Sequence, residues 1–251
     1  MPIASTDLEL YASANRPEDD STTTGGAIAT TWYLAFTQLA ADDDIGVVST
    51  SSSDTQNCTI DARNAAGAIV VDGPTALQGT TETQFHSGTV ERFLKLELAS
   101  GAIGTITVAR YPGGANIATL PVGAIGLTIL FYDSASDPSA TRTRYEKGFW
   151  KNNHGSLSLT GANVTLTADP SSKINIDLED AVDDNNSATN RLTAPTGNIG
   201  VWQSTGVAIN VPGDGNLDAG EAIGVWFRQS LGIGDSPVKN SITVQLAGNT
   251  T

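Results

Sequence analysis

Apolar residues recur in this chain with a period of two, always in short runs. Ile223, Val225 and Phe227 alternate with Ala222, Gly224, Trp226 and Arg228, and Ile174, Ile176 and Leu178 alternate with Asn175 and Asp177. Val90, Leu94, Leu96 and Leu98 share one parity, with Glu91, Phe93, Lys95 and Glu97 on the other. Successive strand side chains point to opposite faces, so this pattern predicts half-buried strands. Helical spacing is nowhere sustained, and Thr37 to Asp44 offers at most one turn. The runs are separated by Gly, Asn and Pro turn signals about every 8–12 residues, which is the signature of a sandwich. The expected fold class is all-β.

Composition agrees. Hydrophobic residues make up 39% of the 251 residues and charged ones 16%. Much of the remainder is Gly, Thr, Ser, Ala and Asn, which suits short strands joined by many turns. The aliphatic content is too high for a disordered chain.

The chain divides into an extended N-terminal arm (1–27), a β-sandwich domain (28–122) and a second β-sandwich domain (123–251). The arm has room for a short strand around Leu8 to Ala12, followed by a polar, Thr- and Gly-rich stretch without periodicity. Two readings of it stand open: a mobile terminus, or a segment ordered against a neighbouring subunit. Trp32, Leu34 and Phe36 mark the first full strand, Asp42 to Asp54 reads as loop, and Tyr111 to Gly114 punctuates the end of the first domain. In the second, the parity flips between Leu157/Leu159 and Val164/Leu166, which predicts a bulge at Gly161-Ala162.

Thirteen basic against twenty-seven acidic residues leave a net charge of −14. That balance argues against nucleic acid, whose binding draws on Lys and Arg, and against an anionic membrane surface. Cys58 is the sole cysteine, so no intrachain disulfide staples the fold. The start, MPIASTDLEL, lacks the pattern of a secretory signal, and the apolar run Val122 to Tyr132 is too short to span a bilayer.

Catalytic signatures are scarce. His86 and His154 lie in no nucleophile elbow and no metal-binding spacing, and His154 sits in a turn-like KNNHGS stretch. Asp42 to Asp44 and Asp183-Asp184 read as solvated loop carboxylates. The best candidate site is Gly213 to Glu221, where Asp214, Asn216 and Asp218 match the first alternating positions of a calcium loop. The match then fails, with Ala219 at the sixth position and Val225 at the twelfth. A tight acidic connection between strands is the plainer reading, and no cofactor or metal is expected. Trp226, placed by parity on the outer face, is the leading candidate for a contact with the other domain, a neighbouring subunit or a sugar; Phe93, among outward charges, is a second.

Two stretches carry a resemblance. Asn57 to Val108, with CTIDARNAAGAIVVDGPTALQGTTETQFHS and then GAIGTITV, resembles the Ig-like modules of tailed-bacteriophage virion proteins. Tyr145 to Gly248, with FWKNNHGSLSLTGANVTLT, KINIDLED and GDGNLDAGEAIGVWFRQSLG, is similar to virion structural proteins, as is the opening LELYASANRPEDDSTTTGGAI. The resemblance implies Ig-like or jelly-roll-like sandwiches and a non-enzymatic role. Its leading form is a head decoration (cement) protein on the outer capsid surface, made in the host cytoplasm, with the major capsid protein and copies of itself as partners. Alternatives are a tail, collar or baseplate component, or a receptor- or carbohydrate-binding module. The N-terminal arm would be the natural strap.

Overall fold

The computed structural model describes residues 2–40, 42–235 and 241–250. The chain is all-β, with large sheets consistent with a β-sandwich fold. A short 3-10 helix, Ser5–Asp7, precedes the first strand. The strands are β1 (Leu8–Asn15), β2 (Thr24–Ala35), β3 (Asp43–Ser49), β4 (Asn57–Asn64), β5 (Ile69–Ala76), β6 (Thr83–Leu98), β7 (Ile106–Arg110) and β8 (Asn116–Leu120). They continue with β9 (Gly126–Ile129), β10 (Arg142–Asn152), β11 (Leu159–Ala168), β12 (Ile174–Leu178), β13 (Ser187–Ala188), β14 (Ala208–Asn210), β15 (Ala222–Leu231) and β16 (Thr243–Thr250).

Two compact units result, and they differ from the expected division. One comprises Met1–Ala29 with Phe131–Thr251, the other Thr30–Leu130. In the first unit the strand order is β12-β15-β10-β1-β2, with β13 added on β2. A smaller sheet has the order β14-β11-β16. In the second unit the C-terminal half of β2 pairs in parallel with β9, Trp32 opposite Gly126, and the order continues β9-β6-β3-β7-β8. Strand β4 pairs with both β5 and β6.

The N-terminal segment is therefore no extended arm. Strand β1 lies between β10 and β2, with Leu8 paired to Asn152 and Ala12 to Gly148. Tyr11, Ala12 and Ser13 are buried. A strand hydrogen-bonded on both edges spends its backbone donors and acceptors inside its own unit. It cannot also serve as a strap.

The expected loop at Asp42 to Asp54 is corrected in the same way. Strand β3 pairs with β6 on one side and β7 on the other, and Ile45 and Val47 are buried. The aspartates at its start and the Ser/Thr run at its end mask a short alternating core. The bulge near Gly161 is present: the β11–β16 register shifts between Thr160 and Asn163, and Gly161 takes a φ of +59°. A positive φ is a conformation that glycine adopts without steric cost.

Candidate functional site

Strand β15 fails the alternation rule, and the candidate site lies where it fails. Ala222 to Phe227 are all buried, so the strand has two covered faces. On one face Trp226 stands directly opposite Lys147 of β10 and Asp177 of β12. The segment after β12 closes over that face. Asp177 Oδ2 accepts hydrogen bonds from Asn198 Nδ2 (2.6 Å), Gly200 N (2.8 Å) and Val201 N (3.1 Å), which anchors it.

Under this cover Lys147 and Glu179 form an ion pair with both side chains at 0% exposure. Glu179 Oε1 also accepts Trp226 Nε1 at 2.8 Å, and Oε2 accepts Asn186 Nδ2 at 3.2 Å. Lys147 Nζ donates further to the backbone oxygens of Asn186 (3.2 Å) and Asp184 (3.4 Å). Its charge lies 4.6 Å from the Phe149 ring centre and 5.5 Å from that of Trp226. The backbone leaves room for the group. A Cβ on Gly224 would come within 2.6 Å of Lys147 Cε and 2.5 Å of Glu179 Cγ, and one on Gly25 within 2.7 Å of Trp226 Cη2. A Cβ on Gly197 would come closer still to Asn186 Nδ2.

Burial pushes the Lys147 amine below its ordinary range and the Glu179 carboxyl above its own, while their mutual attraction acts against both shifts. The neutral amine and the neutral acid are thereby brought toward each other. At 0% exposure the pair suits proton exchange between fixed partners.

Arg144 and Glu146 of β10 enter a second buried network. Arg191 is fully buried and donates to Glu146 Oε1 (3.1 Å), Asp20 Oδ1 (2.8 Å from Nη2) and Asp133 O (2.5 Å). Arg144 holds Asp20 through Nε (2.6 Å) and Nη2 (2.9 Å). Burial raises Glu146 to about 7, with Arg191 pulling against it. Burial also acts to raise Asp20, but the bonds from Arg144 and Arg191 outweigh it and hold that carboxyl below its usual range. Through Asp20 the two arginines tie the polar N-terminal stretch to the rest of its unit.

The residues singled out in the sequence fall elsewhere. Trp226 is 0% exposed and bonded to Glu179, so it presents no outer face. Phe93 is also 0% exposed. Against β4, Asp61 pairs with Lys95 and Ala62 with Phe93, so Leu94 is an extra residue that inverts the parity. Both expected partner contacts are core residues. In the Gly213–Glu221 loop, Asp214 Oδ1 and Oδ2 accept Asn216 N and Nδ2, each at 3.0 Å, while Glu221 Oε2 accepts Asp218 N at 2.8 Å. These oxygens shape the loop's own turn. Among the described residues the carboxylates that cluster closely enough for a metal are Glu179, Asp180 and Asp184. There Glu179 already holds Lys147 and Trp226.

Both histidines have structural bonds. His154 Nδ1 accepts Ser156 N (3.2 Å) and Leu157 N (3.0 Å), and His86 Nε2 lies 3.1 Å from Ile60 O. Cys58 is buried, and burial together with the Asp72 charge raises its thiol, which makes it unreactive. Sequence reasoning missed Lys147, Glu179, Arg191 and Asp20. Lys147 and Glu179 were signalled only as charged residues beside apolar ones, which reads equally well as a solvated face, and Asp20 and Arg191 lie in polar stretches that give no signal.

No protein-family model matches the chain, and no curated protein matches it. Among solved structures it is similar to the N-terminal CBM22-1-CBM22-2 tandem domain of Xyn10C from Paenibacillus barcinonensis, at 13% identity over 96% of this chain and 91% of that one, with a TM-score of 0.16. A score that low carries no argument about fold or function.

Proposed function

We propose that this chain is a non-enzymatic structural protein of a tailed-phage virion, a decoration protein on the outer capsid surface. The observation that carries the non-enzymatic reading is the inward use of its charge. Lys147, Glu179, Arg191 and Glu146 are buried and bonded to one another or to the chain's own backbone and indole groups. Such networks fix one arrangement of distant segments, which a shell component needs.

The virion reading rests on the resemblance of Asn57 to Val108 and Tyr145 to Gly248 to phage structural proteins. The net charge of −14 supports an outer position, since packaged DNA would repel it. Many copies bridging shell subunits would stabilise a capsid by avidity.

The test is copy number. Quantifying this chain against the major capsid protein in purified particles should give a simple whole-number ratio to the shell subunit. A count confined to a single collar, tail or baseplate ring would overturn the decoration reading, and absence from particles would overturn the virion reading.

A further inference from the structure

Asn186 Nδ2 and Lys147 Nζ are bonded to opposite oxygens of one carboxyl group, that of Glu179. A buried primary amine, a buried carboxyl and a carboxamide held in this order make up the parts of an amide exchange. We propose that Lys147 and Asn186 become joined by an intramolecular isopeptide bond, formed autocatalytically with Glu179 as the proton carrier.

The step balances without any further reagent. The Lys147 ammonium passes one proton to Glu179 Oε1 and becomes a neutral nucleophile. Its Nζ attacks Asn186 Cγ, forming a new C–N bond and a tetrahedral centre. Glu179 delivers its proton to Nδ2 and, as the carboxylate so formed, takes the surplus proton from the attacking nitrogen. The Cγ–Nδ2 bond breaks and ammonia leaves. An amine and a primary amide become a secondary amide and ammonia, with nothing oxidised or reduced.

Four observations converge on this site. The amine is already bonded to the backbone oxygen of the residue it would attack, at 3.2 Å. The departing nitrogen faces two carboxylates, Glu179 (3.2 Å) and Asp184 (2.8 Å). Phe149 and Trp226 line the amine, whose side chain is wholly shut off from water, and that burial favours its neutral form. Gly25, Gly197 and Gly224 each leave space that a side chain would fill. Fixed proximity of this kind replaces the encounter step of a bimolecular reaction. Lys147 and Glu179 are shielded from water, whereas Asn186 is half-buried, so ammonia has a way out.

The inference is independent of the virion reading, because it concerns the covalent state of the purified chain. The full-length protein should have, after denaturation, a mass lower than its sequence requires by one ammonia. Proteolysis should give a branched peptide containing both Lys147 and Asn186. Glu179→Gln, checked for folding by circular dichroism, should restore the full mass. An unreduced wild-type mass with both residues in linear peptides would overturn the proposal. So would loss of ammonia with only linear peptides, which marks a succinimide at an asparagine, or loss of water with Lys147 joined to Asp184. A branched peptide in the Glu179→Gln protein would remove Glu179 from the mechanism.

Discussion

Trp226 shows how far a single side chain can depart from its sequence pattern. It fills a fully buried site and gives Glu179 a hydrogen bond. Trp226→Ala should therefore cost about 3–5 kcal/mol of stability. A denaturant titration followed by circular dichroism would register this as a lower midpoint. A change within about 0.5 kcal/mol, usual for surface positions, would contradict the burial. Period-two reading placed Trp226 outside because it assumes one wet face per strand. That assumption fails where the segment after β12 covers the second face. Phe93 was misplaced for a different reason: one inserted residue, Leu94, reverses the parity at Phe93 and Arg92, until a second register shift at Glu91 restores it. Neither event leaves a mark in the local sequence. The Lys147–Glu179 pair was invisible because β12 and β15 had to assemble before the two residues could meet.

At the scale of elements, β1 carries the clearest consequence. Deleting residues 2–15 should remove a strand bonded on both edges and uncover what Tyr11 and Ala12 bury. Trp150 and Trp226 belong to β10 and β15, the strands that β1 supports or that lie next to them. The truncated protein should show red-shifted tryptophan emission and lose its cooperative thermal transition. Native emission and an unchanged melting curve would show β1 to be dispensable. The strand itself was legible, since Leu8, Leu10 and Ala12 alternate. Its position was not, because sequence order says nothing about which later strands will flank it. The strands β6, β12, β15 and the bulge in β11 were legible because each carries its own periodicity. Strand β3 was hidden by polar residues at both ends.

For the whole molecule, the excess of acid makes pH the informative variable. Burial raises Glu146 from 4.5 to about 7, so between those values the native state holds a proton that the unfolded chain releases. Its contribution is complete below the unfolded value and is lost as pH rises through the folded one, a change of about 3 kcal/mol. Asp20, held low by Arg144 and Arg191, acts in the opposite sense, and its contribution fades on acidification. Melting temperature should thus fall from about pH 5 to about pH 8, and Glu146→Gln should flatten that slope. An identical slope in the variant would assign the effect to another group.

The order of the units along the chain bears on how the molecule is made. Thr30–Leu130 is continuous in sequence, whereas the other unit joins Met1–Ala29 to Phe131–Thr251. During synthesis the continuous unit can close as soon as it has emerged. Strand β1 leaves the ribosome well before β10, so the edge on which Leu8 pairs with Asn152 is completed late. Contacts so distant in sequence form slowly and leave that edge of β1 open in the meantime, while β2 follows directly on the other edge. The Asp, Glu and Thr residues around β1 keep that open edge polar, so the seam between β1 and β10 becomes one of the last pieces set in place.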